Sequence, residues 1–172
     1  MRKIFIIVAF WFGLMACQDD SVGFLITEYA GYSQDSMIVR KTLDETPPQP
    51  NPEFESLLES GWYTPESLIM MGIYPTIGGE DYKRLTENIP WNSLAIEGVE
   101  GTQPIYVSIK SIRAIGGDAD KMRACLTVRG DGMFSVPVRN DVPAGRYVIS
   151  LSFENEGWSK DIDDCFVIVV KE

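Results

Sequence analysis

Arg146-Tyr147-Val148-Ile149-Ser150-Leu151-Ser152-Phe153 decides the fold class. Tyr147, Ile149, Leu151 and Phe153 recur at every second position against Val148, Ser150 and Ser152. That period belongs to an extended strand with one face in a core, because successive side chains of a strand point to opposite faces. The same reading spreads outward. Pro104 to Ala114 sets Ile105, Val107 and Ile109 against Tyr106, Ser108 and Lys110, and Asp164 to Val170 closes the chain as a strand. Met122 to Val128 and Gly132 to Val138 flank Arg129-Gly130-Asp131-Gly132, whose Gly and Asp content predicts a tight hairpin. In its first arm Met122, Ala124, Leu126 and Val128 form the expected apolar face, and in the second Pro137 predicts an edge or a bulge. Val22 to Thr27, Ser36 to Leu43 and a stretch within Trp91 to Val99 add shorter strands. About seven short strands at regular spacing predict a mainly β protein, an antiparallel β-sandwich.

The pattern breaks over residues 44–90, which read as an irregular insertion in a single domain spanning 22–172. Pro47, Pro48, Pro50 and Pro52 remove backbone donors and exclude both a helix interior and a central strand. Pro52 to Ser60 then predicts a short helix, with Asn51 as its cap, Pro52 at the first helical position and Gly61 past its end. Thr64-Pro65-Glu66 offers a second cap, before a run from Ser67 to Tyr74 that fits either helix or strand. Gly78-Gly79 interrupts again, and a turn of helix is expected through Asp81 to Glu87.

At the amino end, Arg2 and Lys3 precede an apolar run from Ile4 to Phe12 and the sequence Leu14-Met15-Ala16-Cys17. A basic start, a short apolar segment and small residues before a cleavage point describe a secretory signal peptide over residues 1–16, expected as a helix over 4–15 detached from the body. The Leu-x-Ala-Cys ending resembles the lipobox of bacterial lipoproteins. That resemblance implies a diacylated Cys17 as the first mature residue and a membrane held through its acyl chains, at about 0.8 kcal/mol per buried methylene. Gln18, Asp19 and Asp20 follow within a tether over 17–21 and resemble the acidic export signal of surface lipoproteins of Gram-negative gut commensals. The expected address is the outer membrane, lipid-anchored and exposed at the cell surface, with a periplasmic orientation as the alternative.

The 172 residues carry a net charge of −10, and no Lys/Arg cluster offers a footprint for nucleic acid, so none is expected as a partner. Histidine is absent, which removes the usual general base near neutral pH, the Ser-His and Cys-His pairs and nearly every zinc site. No phosphate-cradling loop or nucleophile elbow is present. The chain is therefore read as non-catalytic, with no catalytic residue, metal or cofactor assigned. Cys125 and Cys165 are left either as a disulfide or as two thiols.

Val142-Pro143-Ala144-Gly145-Arg146-Tyr147, feeding a long alternating strand, resembles the approach to the penultimate strand of immunoglobulin-like and cadherin-like domains. There a Tyr near the strand start caps the corner, and Tyr147 is the matching residue. With the lipobox and tether, residues 91–172 resemble small immunoglobulin-like lipoproteins of polysaccharide-utilisation systems. The resemblance implies a glycan-binding or accessory module working with polysaccharide or an outer-membrane protein complex; a structural or adhesion domain, fimbrial or spacer, is the alternative.

Ligand-binding candidates lie in an expected loop from Glu154 to Asp164. Trp158 either packs over the open edge of the core, the commoner use of a Trp at the end of a sandwich, or offers a plane for stacking on a sugar ring, with Asn155, Lys160 and Asp161 offering hydrogen bonds to hydroxyls. Trp62, Tyr63, Tyr82 and Trp91 are further aromatic candidates. Glu154, Asp161, Asp163 and Asp164 could supply oxygens for calcium, but their spacing matches no EF-hand loop, and they are read first as solvated surface acids. Arg129-Gly130-Asp131 spells an integrin-binding tripeptide in residues that a tight turn already requires.

Overall fold

A computed structural model describes residues 23–172; the expected leader, Cys17 and the tether lie outside the described residues. The described residues are mainly β, with 38% strand and 17% helix. In chain order the elements are β1 (Leu25–Ile26), β2 (Ser36–Arg40), β3 (Gln49–Pro50), α1 (Pro52–Glu59), α2 (Pro65–Met70), β4 (Thr76–Ile77), α3 (Tyr82–Thr86), β5 (Trp91–Asn92), β6 (Glu100–Gly101), β7 (Tyr106–Ile115), α4 (Ala119–Cys125), β8 (Thr127–Val128), β9 (Phe134–Val136), β10 (Gly145–Asn155) and β11 (Trp158–Lys171).

The largest sheet has the order β2-β11-β10-β7, and a three-stranded sheet has the order β5-β9-β8. Side chains of both meet in one core: Val39 from β2, Ile149, Leu151 and Phe153 from β10, Phe166 and Ile168 from β11, and Phe134 and Val136 from β9. Tyr32, Phe134 and Phe166 form its aromatic centre, with ring centroids 4.7–5.7 Å apart. Burial pushes the Tyr32 hydroxyl well above the usual phenol range, and its Oη donates to the Gly132 carbonyl at 2.6 Å.

The decisive strand behaves as its period predicts on the inner face, where Tyr147, Ile149, Leu151 and Phe153 are fully buried. Its other face is also covered at Val148 and Ser150, because β10 is flanked by β7 and β11, and the Ser150 hydroxyl accepts from the Asp164 amide at 3.0 Å. Tyr147 does close the corner. Its hydroxyl donates to the Pro143 carbonyl at 2.7 Å and accepts from the Asp118 amide at 3.2 Å. Tyr147→Phe leaves both groups unpaired and is expected to cost about 1–3 kcal/mol. A denaturant midpoint equal to that of the parent would reject this role.

Several expectations need correction. The sheet is not wholly antiparallel, because β2 pairs with β11 in parallel, Met37 opposite Ile168 and Val39 opposite Val170. Met122 to Val128 is not a strand: α4 occupies Ala119–Cys125, and only Thr127–Val128 is extended. Met122 and Leu126 stand one helical turn apart, so helix and strand periods both bury them. The Asp118 carboxylate decides, accepting from the amides of Asp120 and Lys121 at 3.0 and 3.1 Å. The first strand shrinks to Leu25–Ile26 and the fifth to Trp91–Asn92, while β9 stops at Val136, before Pro137.

Cys125 and Cys165 are free thiols, both raised in pKa chiefly by burial, Cys165 to about 11.

Between β2 and β5 the chain builds a small annex. Asn51 caps α1 as expected, its side chain accepting from the Glu53 amide at 3.1 Å and donating to the Tyr74 carbonyl at 2.8 Å. Thr64 caps α2 in a reciprocal box with Ser67, which settles residues 65–70 as helix. The annex is closed at its base by the Gly79 amide donating to the Thr46 carbonyl at 2.8 Å and the Asp44 amide donating to the Asp81 carboxylate at 3.3 Å. Gly79 is required there, since a Cβ would lie 2.2 Å from the Asp44 carbonyl oxygen. The buried Asp81 also accepts from the Arg40 guanidinium at 2.7 Å, tying the annex to the end of β2.

Candidate functional site

The segment from Glu154 to Asp164 is not a loop. β10 and β11 pair out to Asn155 opposite Trp158, leaving Glu156 and Gly157 as the turn, with Gly157 at φ 89°. Residues opposite one another on an antiparallel pair share a face. Trp158 and Lys160 therefore lie on the same face as their partners Asn155 and Phe153, whereas Asp161 shares the other face with Ser152. Three of the four candidate ligand residues share a face, and Asp161 lies on the other.

Trp158, Asn155 and Asp161 also make hydrogen bonds within the fold, while Asn155 Oδ1 is buried without a partner among the described residues. The Trp158 indole N–H donates to the Gly23 carbonyl. Asn155 donates to the carbonyls of Phe24 at 2.8 Å and Thr102 at 3.0 Å. These bonds fasten the first described residues to the hairpin tip.

Asp161 accepts from the Ser152 hydroxyl at 2.6 Å and pairs with Lys110 at 2.9 Å. Lys110 reaches Asp163 at 2.8 Å, and Arg113 reaches Asp164 at 2.6 Å, so three of the four oxygen donors considered for calcium are bound by cations. The row sits where bulges interrupt the register of β10 with both neighbours.

The Ser152 hydroxyl and then Lys110 hold the Asp161 carboxyl below its ordinary value, while Asp163 and then Asp161 raise Lys110. A lowered carboxyl pKa means stability that is present above the unfolded value near 4 and is lost as pH falls through the folded one. Lys110 acts in the opposite sense: its share is full below about 10.5 and fades as pH rises through its raised value. Lys110→Met is therefore expected to raise the Asp161 titration midpoint, read by NMR, and to flatten the pH dependence of stability below about pH 4. An unmoved midpoint would reject the coupling.

Two clefts are present among the best formed. One, of about 170 Å³, is lined by Ile96, Val99, Ile105, Val107, Phe153 and Asp131; the other, also about 170 Å³, includes Tyr82 and Arg139. Both fall below the roughly 300–1,000 Å³ of typical small-ligand sites. Trp91 is partly buried under the Arg84 guanidinium, 3.9 Å from its ring centroid. In the Arg129–Gly132 turn, the Arg129 guanidinium pairs with Asp131 at 3.5 Å.

The annex presents a different surface. From Asp44 through Glu80 only Asn51, Phe54 and Leu68 are buried. Phe54 and Leu68, the buried apolar side chains of the annex, belong to no part of the main core. Large apolar side chains of the annex face solvent: Trp62 at 87% exposure, Met70 at 89%, and Tyr63, Met71, Tyr74 and Ile77. Sequence reasoning singled out Trp62 and Tyr63 and missed the rest. The available signal was the run Leu68-Ile69-Met70-Met71, apolar on every side of a helix too short to bury more than one of them.

This face and the first described residues occupy opposite ends of the large sheet. Gly23 is held at the β10–β11 tip by Trp158, whereas the annex leaves β2 beside the far end of β11, where Arg40 pairs with Lys171. At about 3.3 Å per residue, the length of β11 places the two ends roughly 40 Å apart.

Comparison with family models, characterised proteins and solved structures found no match to this chain. Among the described residues, no helix is long and apolar enough to cross a membrane, and no group of His, Cys, Asp or Glu is arranged to hold a metal.

Proposed function

We propose that the chain is a non-catalytic lipoprotein, anchored through Cys17 at the outer membrane and displayed at the cell surface, where it serves a polysaccharide-uptake system as an accessory module. The observation that carries this reading is the exposed apolar face of the annex, set at the end of the sheet opposite Gly23. A short tether from Cys17 to residue 23 reaches about 20 Å at most, so the anchored end and the presented face are separate. A patch of this kind marks an interaction surface.

The accessory arm is favoured over direct glycan capture at the hairpin because Asn155 and Trp158 already spend their donors on backbone carbonyls. We further read the body as an immunoglobulin-like sandwich of seven principal strands, four in one sheet and three in the other. The shared core and the Tyr147 corner support that architecture.

The test is uptake of fluorescent polysaccharide by cells lacking the gene. Reduced uptake is expected, restored by the parent chain and not by Cys17→Ala, which cannot be acylated. Unchanged uptake across the polysaccharides on which the cells grow would reject the transport role. Retention of the purified chain in a polysaccharide affinity gel, lost in Trp158→Ala, would return the assignment to glycan binding at the hairpin.

A further inference from the structure

We propose that the annex face docks onto a partner protein whose surface is apolar and rimmed by lysine and arginine. The inference rests on the accessory reading only for its biological setting. Its physical grounds are local.

From residue 42 to residue 82 the chain has no lysine or arginine and eight acidic residues. Glu53, Glu55, Glu59 and Glu66 stand exposed on or beside the helices that carry the apolar side chains. Exposed acidic side chains among exposed apolar ones select basic groups on the other side, because like charges brought together at an interface repel. The same argument disfavours a second copy of this surface, whose charge is identical, and an anionic bilayer surface, which needs the cations this segment lacks.

The side-chain types favour protein over sugar. Met70, Met71 and Ile77 offer soft apolar contact and no hydrogen bonds, while Trp62, Tyr63 and Tyr74 are of the kind enriched at interface centres. Sugar recognition needs hydrogen-bonding groups held in place among aromatic planes. Here Asn51, the buried polar side chain of residues 44–80, is spent on Glu53 and Tyr74. A segment with two buried apolar side chains and so much exposed apolar surface is also what is left when a partner supplies the remaining cover.

The experiment uses the full chain in its own envelope, with a benzophenone amino acid replacing Met70 and, separately, Tyr106, an exposed residue on β7 remote from the annex. Irradiation is expected to give one discrete protein adduct from position 70 and not from position 106. The linked peptide should contain apolar residues together with lysine or arginine. The double change Glu59→Lys and Glu66→Lys, at exposed sites, should lower the adduct yield about tenfold, the effect of roughly 1.4 kcal/mol of lost complementarity. Unchanged far-UV dichroism of that variant separates lost docking from lost folding. Position 70 giving adducts only with lipid or glycan, a self-adduct, no adduct, or a yield indifferent to charge reversal would each overturn the proposal. Normal polysaccharide uptake in cells lacking the gene, with the adduct intact, would reject the transport role and leave the docking surface standing.

Discussion

Phe134→Ala is expected to lower stability by about 3–5 kcal/mol, the cost typical of removing a fully buried aromatic ring from a core that relaxes only in part. Phe134 is wholly enclosed and contacts both Tyr32 and Phe166, at centroid distances of 5.7 and 5.1 Å. It is also the ring that the three-stranded sheet contributes to that cluster, so its loss weakens the join between the two sheets. For a domain of this size the change corresponds to a fall in Tm of roughly 6–20 °C. Tyr106→Ala, at an exposed position on β7, is the control, expected within about 0.5 kcal/mol of the parent. A loss at Phe134 below about 1 kcal/mol would mean that the aromatic centre is not what joins the sheets.

Leu68→Ala should act locally. Leu68 is fully buried and Phe54 is the other apolar side chain enclosed in the annex, so trimming Leu68 removes one of two buried apolar groups there. The expected cost is about 2–5 kcal/mol, borne by α1 and α2 while the sheets stay folded. Hydrogen exchange should quicken over residues 52–70 and the helical dichroism should fall, with the main thermal transition nearly unmoved. A single transition displaced by many degrees would show that the annex and sheets unfold as one. The substitution should also abolish the adduct at position 70, since the presenting face depends on these helices.

Legibility in the sequence followed how many independent signals each segment carried. Tyr147 to Phe153 combined a clean two-residue period with a Pro-Ala-Gly entry, and its inner face is buried as read. Asn51-Pro52 and Thr64-Pro65 were readable as caps because side-chain oxygen and proline act within one turn, without tertiary help. Met122 to Val128 misled because four alternating apolar residues mimic a strand while Met122 and Leu126 equally suit a helix; the Asp118 cap was the neglected arbiter. Glu154 to Asp164 misled because its polar content, the mark of loops, here lines a hairpin end where neither face is covered. The parallel pairing of β2 with β11 joins residues more than a hundred positions apart, and nothing local encodes it.

That parallel ladder bears on how the molecule withstands pulling. Ser36 to Arg40 lies along the last residues of β11, between the amino-terminal fastening at Trp158 and the annex beyond Asp44. Tension between an anchored amino end and a partner gripping the annex would run along the axis of β2. The ladder bonds stand across that direction, so they would be loaded together in shear, not peeled one after another. The geometry suits a short mechanical clamp, with slack in residues 27–35 released only after those bonds give way.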